Sequence, residues 1–231
     1  MKQILSIAAM ALLCASCFHV NTNFKGTING KNSIKGEGPV ITKSFDFKDF
    51  DAIRVNGQAD LVFIQGEAFE VTLRTQENIF DYVDYRVEGT TLILELKDKQ
   101  TARAEEYDVT VKAPVLKKLE VNGAGDVRIP GGMMSDDDFK VEVNGAGDLD
   151  FTRISCKDLI VRANGAADIN AMGIDVQRVD IQVNGAGDVE LSGKAGQADL
   201  NVNGAGDINA TGLTVAGEVN KKASGIAKIR I

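Results

Sequence analysis

The pentapeptide NGAGD stands word for word at Asn122, Asn144, Asn184 and Asn203, with near copies at Asn56 (NGQAD) and Asn164 (NGAAD) and a worn one at Ser224 (SGIAK). From Asn122 onward the copies follow one another at a nearly even step, through Asn144, Asn164, Asn184 and Asn203 to Ser224. No other feature constrains the fold as much. A near-constant period of this length, with strand pattern in each unit, marks a solenoid or an array of hairpins, in which a unit buries its apolar face only against its neighbours. The earlier gap, from Asn56 to Asn122, is as long as three such periods. That spacing predicts the same period throughout, with the middle turns rewritten.

Within one unit Val141 and Val143 share a face, as do Leu149 and Phe151 beyond the pentapeptide. Ile181 and Val183, Val189 and Leu191, and Leu200 and Val202 repeat the pattern, and the residues between them are mainly charged or amide-bearing. Such alternation gives strands with one apolar and one wet face. Segments 50–55, 61–64, 70–74, 91–96 and 107–111 read the same way, and only 77–83 hints at a helical turn. The class is therefore all-β. Two architectures meet the pattern. Asn-Gly drives tight hairpins, which would give an antiparallel hairpin meander. Alternatively the pentapeptide is a corner, and rungs of about 20 residues stack in parallel as a β-helix. The steady period favours the β-helix, because a hairpin array has less reason to keep the Ala and the following Asp in each copy. Stacking would set Asn56, Asn122, Asn144, Asn164, Asn184 and Asn203 above one another at ~4.8 Å, where their amides can form a hydrogen-bonded ladder.

The same stacking aligns Asp126, Asp148, Asp168, Asp188 and Asp207, with Asp60 before them. Neighbouring carboxylates at rung spacing repel by ~1 kcal/mol in a water-like dielectric. The row must be hydrated, hydrogen-bonded to turn amides or bridged by cations. Asn and Asp side chains satisfy turn amides, and that is the expected role. Calcium is the alternative. It takes six to eight oxygens at short range, whereas each rung offers one carboxylate, one amide and backbone carbonyls, so no cofactor and no metal ligand set is nominated. The run Asp136-Asp137-Asp138 reads as a solvated acidic loop, and Cys156 as a small packing residue.

Composition narrows the chemistry further. His19 is the only histidine and lies ahead of the repeats, so a catalytic triad and a histidine metal site both lack their parts. No P-loop is present, and no catalytic residue is nominated. The enzymatic alternative is a β-helix polysaccharide lyase or hydrolase, which would need carboxylates clustered with a basic residue in a groove. Here the aspartates repeat evenly instead.

The first residues read as export. Lys2 forms a positive n-region, residues 4–15 are an apolar run too short to span a bilayer as a stable helix, and Leu13-Cys14-Ala15-Ser16-Cys17 looks like a lipobox, after which a bacterial lipoprotein is cut and its new terminal cysteine acylated. The chain then divides into a lipoprotein signal peptide (1–16), a flexible tether rich in Asn, Gly, Lys and Thr (17–39) and a single β-helix domain (40–231). Acylated Cys17 would hold the protein to the lipid bilayer, each buried methylene contributing ~0.8 kcal/mol. Loss of Lys2 leaves 25 of the 26 basic residues against 33 acidic ones, a balance that argues against a nucleic acid partner.

The lipobox, the phrase FDAIRVNG at 50–57, GTTLI at 89–93 and the repeated VNGAGDV and ADIN or GDIN phrases together resemble the head GIN domain family of putative auto-transporter adhesins, exported proteins of the Bacteroidetes. The resemblance covers roughly residues 45–231. It implies a single right-handed β-helix and brings no catalytic residues with it. The expected function is that of a non-catalytic, lipid-anchored protein of the cell envelope at the outer membrane, an adhesin or binding scaffold presenting a repetitive polar surface to a glycan or an envelope protein. A glycan-acting β-helix enzyme and a calcium-stabilised binding module stand as alternatives. No acidic residue occurs at 18–23, so the periplasmic and outer faces both remain open. At the far end, Lys221, Lys222, Lys228 and Arg230 either discourage stacking on an exposed strand edge or mark a homo-oligomer contact.

Overall fold

Alternation makes the strands, and the pentapeptide decides how they connect. In the computed structural model, which describes residues 33–231, the chain is almost wholly β. The signal peptide, Cys17, His19 and most of the tether lie outside the described residues. The repeats form β10 (Lys118–Ala124), β13 (Phe139–Thr152), β14 (Ile154–Ala186), β15 (Val189–Val215) and β16 (Val219–Arg230). All pair in parallel and in like register: Asn122 opposes Asn144, Asn144 opposes Asn164, Asn184 opposes Asn203 and Asn203 opposes Ser224. The result is a stacked parallel coil of about 5 turns with rungs of about 21 residues, a β-helix and not a hairpin meander.

The corner explains why like sits on like. Gly145 has φ 151°, in the region that favours glycine, and a methyl there would collide with the carbonyl oxygen of Gly123 in the preceding corner. Only a bare backbone lets the coils approach so closely. The second glycine of the phrase is also covered by the preceding corner but is left-handed only at Gly147. Ala59 and Ala167 stand at that position with their methyls buried in the core. Differences in period are absorbed elsewhere. The slightly shorter step from Asn184 to Asn203 is taken up by a bulge between Ala171 and Ile174, in the link between corners.

The gap between Asn56 and Asn122 is not three further rungs. β10 pairs directly with β3 (Ala52–Gly57), setting Asn122 on Asn56, and β11 (Val127–Ile129) pairs with β4 (Asp60–Gln65). The intervening chain builds one extra layer on the other side of this first coil. There β7 (Thr91–Leu94) runs parallel on β3, and β9 (Tyr107–Ala113) runs parallel on β4. Antiparallel strands then close the end. β5 (Glu70–Gln76) pairs with β9, β2 (Val40–Phe45) with β5, and β6 (Arg86–Glu88) with β7. A 3-10 turn at Glu77–Tyr82 falls where the sequence hinted at helix. The described body begins ahead of residue 40: β1 (Ser33–Lys35) pairs with β8 (Thr101–Arg103), and Asn78 bonds the Glu37 amide and the Lys35 carbonyl. β12 (Met133–Met134) lines a link and pairs with β14.

The inward-facing residues of the coils, among them Val141, Val143, Leu149, Phe151, Ile181, Val183, Val189, Leu191, Leu200 and Val202, form one continuous core. Phe139 and Phe151 meet edge-on within it, with ring centres 5.9 Å apart. Cys156 is buried against this core, and burial pushes its thiol pKa up to about 11. It is a packing residue, as its type suggests.

The two glycines of a corner should therefore respond differently to substitution. Gly145→Ala places a methyl in a left-handed conformation against backbone, and about 1–3 kcal/mol of destabilisation is expected. Gly187→Ala, at the position Ala167 occupies one rung earlier, meets the Ala167 carbonyl but carries no left-handed strain and should cost less. Urea unfolding of the two variants checks the ordering.

Candidate functional site

Each pentapeptide leaves the core at a valine or alanine and returns at the next apolar residue, so its polar side chains stand on the surface on either side of a ridge. On the first side is a ladder. The Nδ2 of Asn122 donates to Oδ1 of Asn56 at 3.0 Å, Asn144 to Asn122 at 3.0 Å, Asn164 to Asn144 at 3.1 Å and Asn184 to Asn164 at 3.1 Å. Asn203 is next in register. All the donors point the same way, toward the capped end, so the amide dipoles add along the column.

At the capped end the ladder meets an anion. Asn56 Nδ2 donates to Glu95 Oε2 at 2.6 Å, and Arg86 bonds the other oxygen at 2.6 Å. A carboxylate at the N–H end of aligned amides is electrostatically favourable, for the same reason that acidic groups suit helix N-termini. Partial burial would raise the pKa of Glu95, but the Asn56 and Arg86 hydrogen bonds outweigh it and the net shift is downward. Glu120 is similar: burial opposes ionisation, while Asn122 and Arg54 favour it and win. Neither glutamate belongs to the pentapeptide, and no local signal marks them.

On the other side of the ridge the aspartates form a second ladder of a different kind. Asp60 Oδ1 accepts the backbone N–H of Asp126 at 2.9 Å, Asp126 that of Asp148 at 3.1 Å, Asp168 that of Asp188 at 2.8 Å and Asp188 that of Asp207 at 2.8 Å. Asp60, Asp126, Asp168 and Asp188 thus each hold the next corner, not their own turn. Every one of these bonds is charge-assisted, which offsets repulsion along the column. The outer oxygens of two members are also paired. Arg128 bonds Asp126 Oδ2 at 3.0 Å, and Arg230 bonds Asp207 Oδ2 at 3.2 Å.

Two residues beyond the aspartates runs a further exposed row: Asp150, Asn170, Glu190 and Asn209. The two rows border a groove of about 530 Å3 floored by Leu149, Ile169 and Val189. Across the ridge a polar trough follows the asparagines, bordered by Glu142, Arg162 and Gln182. Arg162 is tied to Asp180 by two bonds of 2.9 and 2.6 Å. In the acidic run, Asp137 pairs with Lys117 at 2.9 Å. Among the described residues no three His, Cys, Asp or Glu side chains converge on a point where a metal ion could sit, and no helix is long and apolar enough to cross a membrane.

The family model described as putative auto-transporter adhesin, head GIN domain, matches residues 49–174 and again 166–231. No curated protein matches the sequence. Among solved structures, the chain is similar to a putative adhesin from Parabacteroides distasonis at 21% identity and a TM-score of 0.74, over 85% of this chain and 84% of that one. A putative lipid binding protein from the same organism shares 20% identity at a TM-score of 0.71, over 86% of this chain and 100% of that one. A putative adhesin from Bacteroides fragilis shares 19% identity at a TM-score of 0.65, over 85% and 98%. At these identities the likeness concerns the fold.

Two measurements test the ladders. Asp188→Ala removes the acceptor for the Asp207 amide and should cost about 1 kcal/mol, whereas Asp188→Asn keeps an oxygen there and should cost less. The comparison is made by thermal melting at fixed pH. The second concerns acid. Glu95 and Glu120 have folded-state pKa values below their unfolded ones. Their contribution to stability is present above the ordinary carboxylate range of about 4 and is lost as pH falls through the folded values. Glu120→Gln should therefore flatten the loss of stability below about pH 4, read as urea midpoint against pH.

Proposed function

Because the chain belongs to the head GIN domain family of putative auto-transporter adhesins, we propose that it works by binding, as a non-catalytic scaffold of the cell envelope anchored at the outer membrane through acylated Cys17. The observation that carries this reading is the strict register of the corners, which presents chemically equal polar groups at equal spacing on a rigid body. A catalytic site needs unequal groups brought together: an acid, a base and a charge stabiliser at one locus. The columns here do the opposite. An extended ligand, such as an envelope glycan, meets many weak and similar contacts along such a surface, and these multiply when several molecules stand side by side on a membrane. The same register offers an exposed strand edge at β16, where a second copy could also dock.

The aspartate column on this reading is structural and needs no cofactor. Each Asp in the bonded pairs already commits one oxygen to the next corner. Addition of calcium should leave the melting temperature unchanged, and a sharp rise abolished by Asp148→Asn with Asp188→Asn would replace this view with a calcium-stabilised module.

Three results are expected from cells and purified protein. Metabolic labelling with a fatty acid should mark the wild type and Cys14→Ser but not Cys17→Ser. A screen against envelope glycans and envelope proteins should find a ligand. Incubation with acidic glycans should release no unsaturated or hydrolysed products, and their appearance would overturn the non-catalytic reading.

A further inference from the structure

The corner glycines are covered on their cap-facing side by the corner before them, with one exception. Gly57 takes the same left-handed conformation, φ 124°, yet a methyl built there meets no described atom within 4 Å. The cause is topological. The covering strand β7 follows β3 only to the pair Val55 and Leu94, and the chain then turns away through Glu95. A recess of about 350 Å3 stands where one more corner would sit. Asn56, Asn122 and Glu95 border it from the ladder, and Lys99, Gln100 and Thr101 border it from the segment that follows β7.

Two independent features mark this recess as more than a gap. Asp98 and Lys99 are both left-handed, with φ 54° and 52°, a conformation that is costly for residues with a side chain. Consecutive strain of this kind persists where position matters, and here it sets Lys99 and Gln100 at the rim. The second feature is an orphaned acceptor. Gln100 Oε1 is buried and has no hydrogen-bond partner among the described residues. Buried polar atoms are normally satisfied, and since Gln100 borders the recess, a turn of its amide would offer this acceptor to a donor from outside the chain.

We propose that the recess seats one sugar unit of a neutral glycan, and that the rest of the glycan runs on along the asparagine trough. The inference rests on the binding reading above and gives it a ligand class and a seat. The lining groups select hydroxyls. Gln100 Oε1 wants a donor, the Lys99 ammonium wants an acceptor, and Thr101 can serve as either. A ring with adjacent hydroxyls supplies donors and acceptors side by side, which a simple ion or an acyl chain does not. Glu95 is already engaged by Arg86 and Asn56, which leaves Lys99 as the lining charge open to a ligand oxygen, and a hydroxyl can meet it. None of the six lining side chains is aliphatic or aromatic, so a hydrophobic peptide anchor has nothing to grip. The bare backbone of Gly57 leaves a flat place for the C–H face of a sugar. Further along the same column, polar hollows follow Asn144, Asn164 and Asn184 to Asn203.

The test is a glycan array followed by titration calorimetry on purified protein, with Gln100→Ala, Lys99→Gly and the distant Lys194→Ala. The wild type and Lys194→Ala should bind the same neutral saccharide. Gln100→Ala and Lys99→Gly should each bind it about tenfold more weakly, the loss expected when one hydrogen-bonding group is removed from a polar seat. Melting temperatures should hold, and Lys99→Gly should melt at or above the wild type because it relieves left-handed strain. Equal affinity in all four proteins would overturn the recess as the seat while leaving the binding reading in place. Capture of an envelope protein with no saccharide bound would do the same. If neither glycan nor protein binds, both readings fall.

Discussion

The contact on which everything else depends is between the backbone of one corner and the backbone of the next. A left-handed glycine lies against the carbonyl of its counterpart so closely that no Cβ fits between them. That contact leaves no freedom for a corner to slide. A one-residue slip would replace the glycine with Asn or Ala and turn each neighbouring apolar residue outward. Zero offset between rungs follows, and with it the stacking of like residue on like. The core shares in this, since valines and leucines at equal depth fill each layer in the same way.

Stacking like on like is harmless for amides and hazardous for carboxylates, and the two ladders differ accordingly. An asparagine both donates and accepts, so its column closes upon itself side chain to side chain. An ionised aspartate only accepts. Its column is stable because Asp60, Asp126, Asp168 and Asp188 turn to the N–H of the following corner, and Asp126 and Asp207 also pair with Arg128 and Arg230. The ladders thus hold the coils together from outside while the valines hold them from within. Asn at the first position and Asp at the fifth are therefore not interchangeable, although both suit turns.

Much of this was legible in the sequence because it is local and repeated. The period gave the parallel coil, the alternation gave the buried face of each strand, and Asn56, Asn122, Asn144, Asn164 and Asn184 stack in the column that their spacing suggests. What escaped is what the repeat does not carry. The direct pairing of Asn122 with Asn56 spans a long excursion of the chain, and a length equal to three periods gave a false count. The order of layers is also not the order of the chain, since β7 and β9 lie outside the earlier β3 and β4. Glu95 caps the asparagine ladder from a segment with no pentapeptide, and no spacing rule could have selected it. Asp60, Asp126, Asp168 and Asp188 hold the amide one rung on, which spacing could not assign because a turn and a stacked corner offer the same amide to the same side chain.

A stack of coils has two ends, and this one treats them differently. At the first end antiparallel strands cover the open edge except over Gly57. At the other, β16 has one neighbour and its second edge is bare among the described residues. Charge occupies the critical positions there. Lys221 stands in register with Leu200, a core residue, so a further coil laid on β16 would have to bury an ammonium group. Burial of an unpaired charge is among the most expensive things a fold can do, and an inward charge is a known defence of strand edges. Lys228 replaces the aspartate of the phrase. Its backbone amide takes one oxygen of Asp207 while the Arg230 guanidinium takes the other, which closes the acidic column. The asparagine column has no such closure, since Ser224 follows Asn203 in register. Of the two polar surfaces flanking the ridge, the acidic one is thus closed by a cation at its foot. The amide-lined one runs from a recess at its head to an open foot, the form that suits a ligand longer than the protein's own ladder.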